Sequence, residues 1–414
     1  MTRIHCDRLA AVMCLFAALP LLSCSSANDL GAWPTQLLVR SPASQTGLVG
    51  FPVNAAPAVE LTDSKGDPIA GATITFAVTS GGGTLTGASA VTDKNGIATV
   101  GSWTIASGTG TVTASIPSVF HVAPATFAAT AVTSTYHIDL AFLTPVSPSR
   151  QAVFDSAAAR WERIVYGDLS DIPVNIPADL CFTGQPALNT TIDDLWIYVV
   201  LDSIDGPGNI LGESGPCLIR SSNKLSLLGE MIFDTADVAL LESNGAFDDV
   251  ILHEMGHVVG YGVLWDIVPG NLLVGPASQG GTDPHFDGPL AIAAFDQVGG
   301  TGYTGGAKVP VEAGGGPGTE DAHWRESVFH TELMTGYLNL GVPNPLSVVT
   351  IASMGDMGYQ VNYGAADQYG LPSAAAPPAV PGRLFGTIAL GNDIVQRPIH
   401  LVDRQGRLVG LYRR

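Results

Sequence analysis

The chain has 414 residues, 46% hydrophobic and only 13% charged, which excludes a disordered polypeptide and leaves room for two or three domains with cores of their own. The formal charge of −19 excludes a nucleic-acid binder, because phosphate contacts need clustered Lys and Arg. Abundant Gly, Ser and Thr point to strand- and loop-rich material, and six arginines fall at positions 383–414, so the body is more acidic than the total.

In chain order, residues 1–24 read as a targeting segment. Arg3 and Arg8 precede an apolar run from Leu9 to Leu22, too short to span a bilayer comfortably. The run ends in "LLSC", which resembles a bacterial lipobox with Cys24 as the lipid-bearing residue, while "SSA" at Ser25–Ala27 offers an ordinary signal-peptidase site instead. Both imply export, with a lipid anchor as the only membrane contact. Cys6 and Cys14 leave with the signal. Cys181 and Cys217 remain as an even pair in an oxidising compartment, and a disulfide between them is expected.

From about Trp33 to Ser134 the pattern is strand and turn. "GATITFAV" alternates Ala72, Ile74, Phe76 and Val78 against threonines and an alanine, the period of a half-buried strand. "DSKGDP", "SGGG" and "DKNG" supply turns between such runs. Short strands over about 100 residues predict an antiparallel β-sandwich. The stretch from "LTDSKGDP" to "TDKNGIATVGSWT" resembles the bacterial immunoglobulin-like repeats of surface adhesins. A single such module implies a spacer.

The region 136–371 changes character. "SRQAVFDSAAARWERIV" places Val153, Phe154, Ala157, Ala158, Trp161, Ile164 and Val165 on one helical face. "DDLWIYVVLDSID" reads as a buried strand and "GEMIFDTAD" as a second, shorter one. "FDDVILHEMGHVVG" then reads as a helix, with Asp248 and Asp249 in the first turn and Gly260 and Gly262 as stops. A Pro/Ala linker, 372–382, leads to a tail, 383–414, with two or three short strands and turns at "GND" and "RQG".

The chemistry sits on the last helix. In HExxH, His253 and His257 lie at i and i+4 and project toward one ion, while Glu254 reaches a metal-activated water as general base. A hydrolytic zinc site takes three protein ligands and one open position. The familiar continuation HExxHxxGxxH has its glycine here as Gly260, but its third histidine position is Val263. His285, His323, His330, His400, Asp266 and Asp283 all remain open as the third ligand.

"HEMGHVVGYGVLW" together with "DAHWRESVFHTELMTGYLN" resembles the leishmanolysin family of metzincin zinc endopeptidases, and the resemblance extends over most of 136–371. It implies His323, before Trp324, as the third ligand, and Met334 as the methionine of the turn beneath the metal. It also implies an insertion from about Tyr261 to Ala322, a metzincin-like α+β fold with the HExxH helix under a mixed sheet, one catalytic zinc ion, and protein or peptide substrates. One departure stands out. Members of that family are held latent by a propeptide cysteine on the zinc, and no cysteine lies between Cys24 and Cys181. The expectation is therefore an exported zinc metalloendopeptidase built on an immunoglobulin-like β-sandwich, an α+β peptidase domain and a short β tail. The alternative is a surface binding protein whose peptidase-like domain no longer cuts.

Overall fold

The computed structural model describes residues 33–208, 210–374 and 386–413. The targeting segment with Cys24 lies outside these residues, as does most of the Pro/Ala stretch. No helix among the described residues is long and apolar enough to cross a membrane.

The N-terminal unit is a two-sheet sandwich. Gln36–Val39, Ala58–Thr62 and Ile97–Thr99 form one sheet. The other runs in the order Ser44–Leu48, Ala125–Val132, Thr109–Ser115, Thr73–Ser80, Ser89–Val91. Ile74 and Phe76 enter a core with Leu61, Trp103, Val112 and Phe127, while Thr73 and Thr75 face water, as the alternation predicts. The turns close through Asx bonding: Asp63 Oδ1 accepts from the Lys65 and Asp67 amides, and Asp93 Oδ1 from those of Asn95 and Ile97. One pairing departs from the antiparallel expectation. Ser44–Leu48 runs parallel to Ala125–Val132, because the four-residue link after Val39 carries the chain across to the second sheet without reversing it. Asn54 ties the sandwich to the second unit, donating to the Val361 carbonyl at 2.8 Å and accepting from the Tyr363 amide at 3.0 Å.

That second unit is built on a six-stranded mixed sheet. Its elements are β1 (Ile138–Phe142), α1 (Pro148–Ile164), β2 (Leu195–Asp202), β3 (Gly212–Arg220), β4 (Ser226–Asp234), α2 (Thr235–Ser243), α3 (Phe247–Val259), β5 (Tyr337–Asn339), α4 (Val348–Met357), β6 (Thr387–Ala389), β7 (Ile399–Val402) and β8 (Leu408–Tyr412). The sheet order is β1-β2-β4-β3-β7-β8. β1, β2 and β4 are parallel, β3 is antiparallel to β4, and β7 joins β3 in parallel. Both faces are covered. Leu195, Ile197, Val199 and Leu201 of β2 meet α1 and α3, while Trp196 and Tyr198 point into a second cluster beneath the hairpin Ile172–Ile176 and Leu188–Ile192.

One local detail differs from the sequence reading. β4 is nine residues long and starts upstream at Ser226, and "TAD" is already helix, because Asp234 caps α2 by accepting from the Ala236 amide at 2.8 Å. The tail strands β7 and β8 extend the central sheet. α1 follows the expected face: Ser147 caps it, Pro148 opens it, and Phe154, Ala157, Ala158, Trp161 and Ile164 are buried. The Trp161 indole donates to the Leu252 carbonyl at 2.9 Å, fixing α1 against α3.

Cys181 and Cys217 form a disulfide, joining the loop between the two strands of the outer hairpin to β3. Their sequence separation of 36 residues corresponds to a stabilisation of about 3–4 kcal/mol from loop-closure entropy. Replacing both cysteines by serine is expected to lower the denaturant midpoint by that amount divided by m, read from urea unfolding followed by circular dichroism.

Candidate metal centre

α3 carries His253, Glu254 and His257 on an apolar body, with Val250, Ile251, Met255 and Val258 fully buried. That is what allows a helix to take three polar side chains into the interior. Asp248 and Asp249 lie in its first turn, where the helix dipole favours acids. The helix stops at Gly260, whose φ of 122° suits glycine, and Gly262 bends the chain again at φ 72°. A Cβ on Gly262 would stand 2.1 Å from the Ala322 carbonyl oxygen. The glycine thus lets the end of α3 touch the backbone that presents His323.

Trp324, next to His323, is fully buried among Tyr261, Trp265, Phe286 and Phe329. Its amide donates to the Met334 carbonyl at 3.0 Å. The Glu332-Leu333-Met334 turn is held from within. Glu332, fully buried, accepts from the Met334 amide at 2.6 Å, the Ser347 amide at 2.9 Å and the Thr350 hydroxyl at 2.6 Å. Burial pushes the Glu332 carboxyl up, and these donors pull it back. Met334 lies under α3 at Gly256, where a Cβ would be 3.0 Å from Met334 Cε and 2.8 Å from the Trp161 ring. Its carbonyl also accepts from the Tyr261 hydroxyl at 3.2 Å.

These elements bring three imidazoles to one point. The Nε2 atoms of His253, His257 and His323 stand 3.0, 3.0 and 3.2 Å apart. Each Nδ1 faces a backbone carbonyl: Leu333 at 2.7 Å, Tyr261 at 2.9 Å and Thr319 at 3.0 Å. A carbonyl only accepts, so each Nδ1 carries a proton, and in the neutral ring each Nε2 presents a lone pair. Three converging lone pairs repel one another unless a cation lies between them. Tetrahedral ligands about 2.05 Å from zinc would be spaced about 3.3 Å apart, close to what is observed. The residues fit the metal that the sequence pattern calls for.

The electrostatics agree. Burial, with His253 and His323 alongside, holds the His257 ring well below its ordinary value, which keeps it neutral. Glu254, fully buried, is pushed up to about 8 by burial and then by a neighbouring carboxylate, with His253 and a hydrogen bond from the Ser214 hydroxyl at 2.7 Å pulling the other way. Glu254 Oε1 has no hydrogen-bond partner among the described residues.

The neighbouring carboxylate is Asp393, from the tail, which the sequence reading leaves inside the "GND" turn. Its Oδ2 lies 3.1 Å from His323 Nε2, 3.3 Å from His253 Nε2 and 4.0 Å from His257 Nε2. Burial would raise Asp393, but the three imidazoles overcome it and hold the carboxylate ionised. The reciprocal effect raises His323 against its own burial. The sequence signal for this residue is faint: Asp393 is the one acidic residue between Asp367 and Asp403, followed by apolar Ile394 and Val395.

The other histidines and acids that spacing leaves open as third ligand do not join this group. His285 Nδ1 bonds the Asp283 carbonyl, and Asp283 pairs with Lys308 and Arg325. His330 ends the short helix Glu326–Phe329, His400 lies in β7, and Asp266 is exposed. Tyr337 is half-buried in β5.

Residues 175–375 match the leishmanolysin family model, a span that includes the three histidines, Glu254 and Met334. This segment is leishmanolysin-like. Residues 54–128 match the bacterial Ig-like domain (group 1). The described chain thus holds a segment similar to the bacterial Ig-like domain, followed by one similar to the leishmanolysin family, and is of mixed α/β build. Among solved structures, the D00-D0 domain of Intimin aligns at 19% identity over 23% of this chain, with a TM-score of 0.18. The chain spans 46% of the length of that structure. No curated protein matches.

Gly262→Ala is expected to push the Ala322–His323 backbone away from the leishmanolysin-like site. Zinc affinity, measured by competition with a chromogenic chelator, should fall roughly 10- to 100-fold while the circular dichroism spectrum is kept.

Proposed function

We propose that the protein is an exported zinc metalloendopeptidase, with His253, His257 and His323 as metal ligands and Glu254 as general base. The convergence of three Nε2 lone pairs beside a buried carboxylate is the observation that carries this reading. Zinc bound there supplies Lewis acidity toward a water molecule and the scissile carbonyl oxygen. The chain's own residues do the rest. The Ser214 hydroxyl holds Glu254 Oε2, which leaves Oε1 to accept the proton of the attacking water and return it to the departing amine. The carbonyls of Leu333, Tyr261 and Thr319 fix each ring so that Nε2, not Nδ1, faces the ion. Met334 supports the site from below by packing against Gly256.

Residues 1–24 would direct export, and Cys24 would carry a lipid that anchors the chain to the cell envelope. The Ig-like domain would then act as a spacer, fixed to the peptidase domain through Asn54.

Cleavage of a mixed peptide library by the full mature chain, set beside Glu254→Ala, tests the reading. The variant should keep its zinc and lose on the order of a hundredfold or more in rate. Equal rates would remove Glu254 from the chemistry. Zinc retained without cuts under any condition, together with intact partner binding, would favour the surface-binding alternative. A chelator should also lower the melting temperature, because binding energy at a preformed site adds to folding stability.

A further inference from the structure

The site has a fourth protein group pointed at it, and the segment that brings it pairs with β3 beside Glu254. His253, Glu254, His257 and His323 all have 0% of their surface exposed, as has Asp393 itself. An endopeptidase site in that state admits a polypeptide only while its cover is lifted.

The cover is continuous and anchored on both sides. On one side β6 pairs with β5, just beyond the Met334 turn, and the Thr319 hydroxyl bonds the Gly391 carbonyl at 2.6 Å. The chain then passes over the imidazoles at Asp393. On the other side the Ser214 amide donates to the Asp393 carbonyl at 2.7 Å, and the Val395 amide to the Ser214 carbonyl at 3.0 Å. Ser214 is the residue whose hydroxyl holds Glu254. The segment therefore adds to the β3 edge beside the general base, where an extended peptide would gain its main-chain hydrogen bonds. Gly215 makes room for it, since a Cβ there would lie 2.7 Å from Val395 Cγ2. β7 then completes the pairing with β3, and Leu390, Ile394 and Ile399 are buried.

Charge favours the same seating. Residues 383–414 hold six arginines against two aspartates on a chain whose total is −19. Arg397 forms ion pairs with Glu213 at 2.9 Å and with the buried Glu230 at 2.5 Å. The matched family segment ends at residue 375, so this strap is not part of it.

We propose that Asp393 is a fourth protein ligand to the metal and that residues 386–402 form a substrate-mimicking strap that holds the peptidase closed. The proposal rests on the zinc-peptidase reading above. The carboxylate takes the coordination position that a hydrolytic site must leave open, and the backbone around it takes the edge that a substrate needs. It supplies a latency device where the cysteine of the resembling family is missing. Opening the site means lifting the strap from β3 and β5, not removing a segment from the N-terminal side.

The test uses the full mature chain loaded with one cobalt(II) ion, whose visible absorption reports ligand number, titrated with acetohydroxamate as a small metal-binding probe. The parent protein should show no response to the probe. Asp393→Ala and the isosteric Asp393→Asn should change the starting spectrum, respond to the probe, lose metal faster to a chelator, and cleave peptides at least about tenfold faster than the parent. If Asp393→Ala does not fold by circular dichroism, Asp393→Asn carries the comparison. Arg397→Ala then serves as a second variant that loosens the strap without touching the ligand, and should speed entry of the probe. A parent that responds to acetohydroxamate as the variants do, with an unchanged cobalt spectrum and equal cleavage rates, overturns the proposal. Spectral change and probe binding in the variants without cleavage by any form would uphold Asp393 as a ligand and sink the peptidase reading instead.

Discussion

Three imidazole lone pairs aimed at one point, inside a region closed to water, set the terms for everything around them. Such an arrangement is repulsive by itself, and the backbone has to impose it. It does so by giving every Nδ1 proton a carbonyl to bond, from Leu333, Tyr261 and Thr319. Those three carbonyls come from the turn beneath α3, the chain just past its end and the loop before His323. The site is thus a meeting of three backbone segments, and a shift in any one of them would rotate a ring away from the common point. A cation turns the repulsion into the strongest local attraction, which is why metal binding and folding should be coupled here.

The apolar scaffold exists to keep those segments in register. α3 packs against both the central sheet and α1, with Trp161 bonded to the Leu252 carbonyl one residue before the first histidine. Gly256 lets Trp161 and Met334 close in on the helix between its two histidines, and a larger residue there would push one or the other out. Buried Glu332 costs desolvation but bonds three donors, so the Met334 turn keeps its shape without a partner charge. The aromatic cluster around Trp324 serves the same end for His323, which arrives after a long insertion and has no helix of its own to fix it.

How much of this is legible in the sequence depends on whether the signal is local. HExxH identifies two ligands and the base because a helix places i and i+4 on one face, and the Gly260 stop lies within the same stretch. The α1 face, the turns at Asp63 and Asp93 and the disulfide pair are legible for the same reason. His323 is not readable from spacing, since its separation of 66 positions from His257 carries no periodic cue; only a family resemblance singles it out. The far end of β4 is misjudged because Asp234, its last residue, also caps α2 and Thr235 is already helical. Asp393 is invisible. It sits 140 residues from His253 in a tail whose pairing with β3 is decided by the free edge of a strand, and one sequence says nothing about which edge a distant segment will occupy.

That long-range edge pairing has a consequence for how the molecule is regulated. A strand added in parallel to β3 delivers a side-chain carboxylate to the metal position while its own peptide bonds run past the site, so the strap can mimic a substrate without being cut. Its hold is spread over main-chain hydrogen bonds, five buried apolar residues (Leu390, Ile394, Val395, Ile399 and Val402) and the Arg397 pairs with Glu213 and Glu230. Single hydrogen bonds and partly exposed ion pairs contribute little each, so the hold depends on their sum. The acidic body and the basic tail make the outer part of that hold sensitive to ionic strength, while the buried part is not. The inner ligand and the outer ion pairs therefore respond to different conditions, and release of the strap should begin at its basic end and reach Asp393 last.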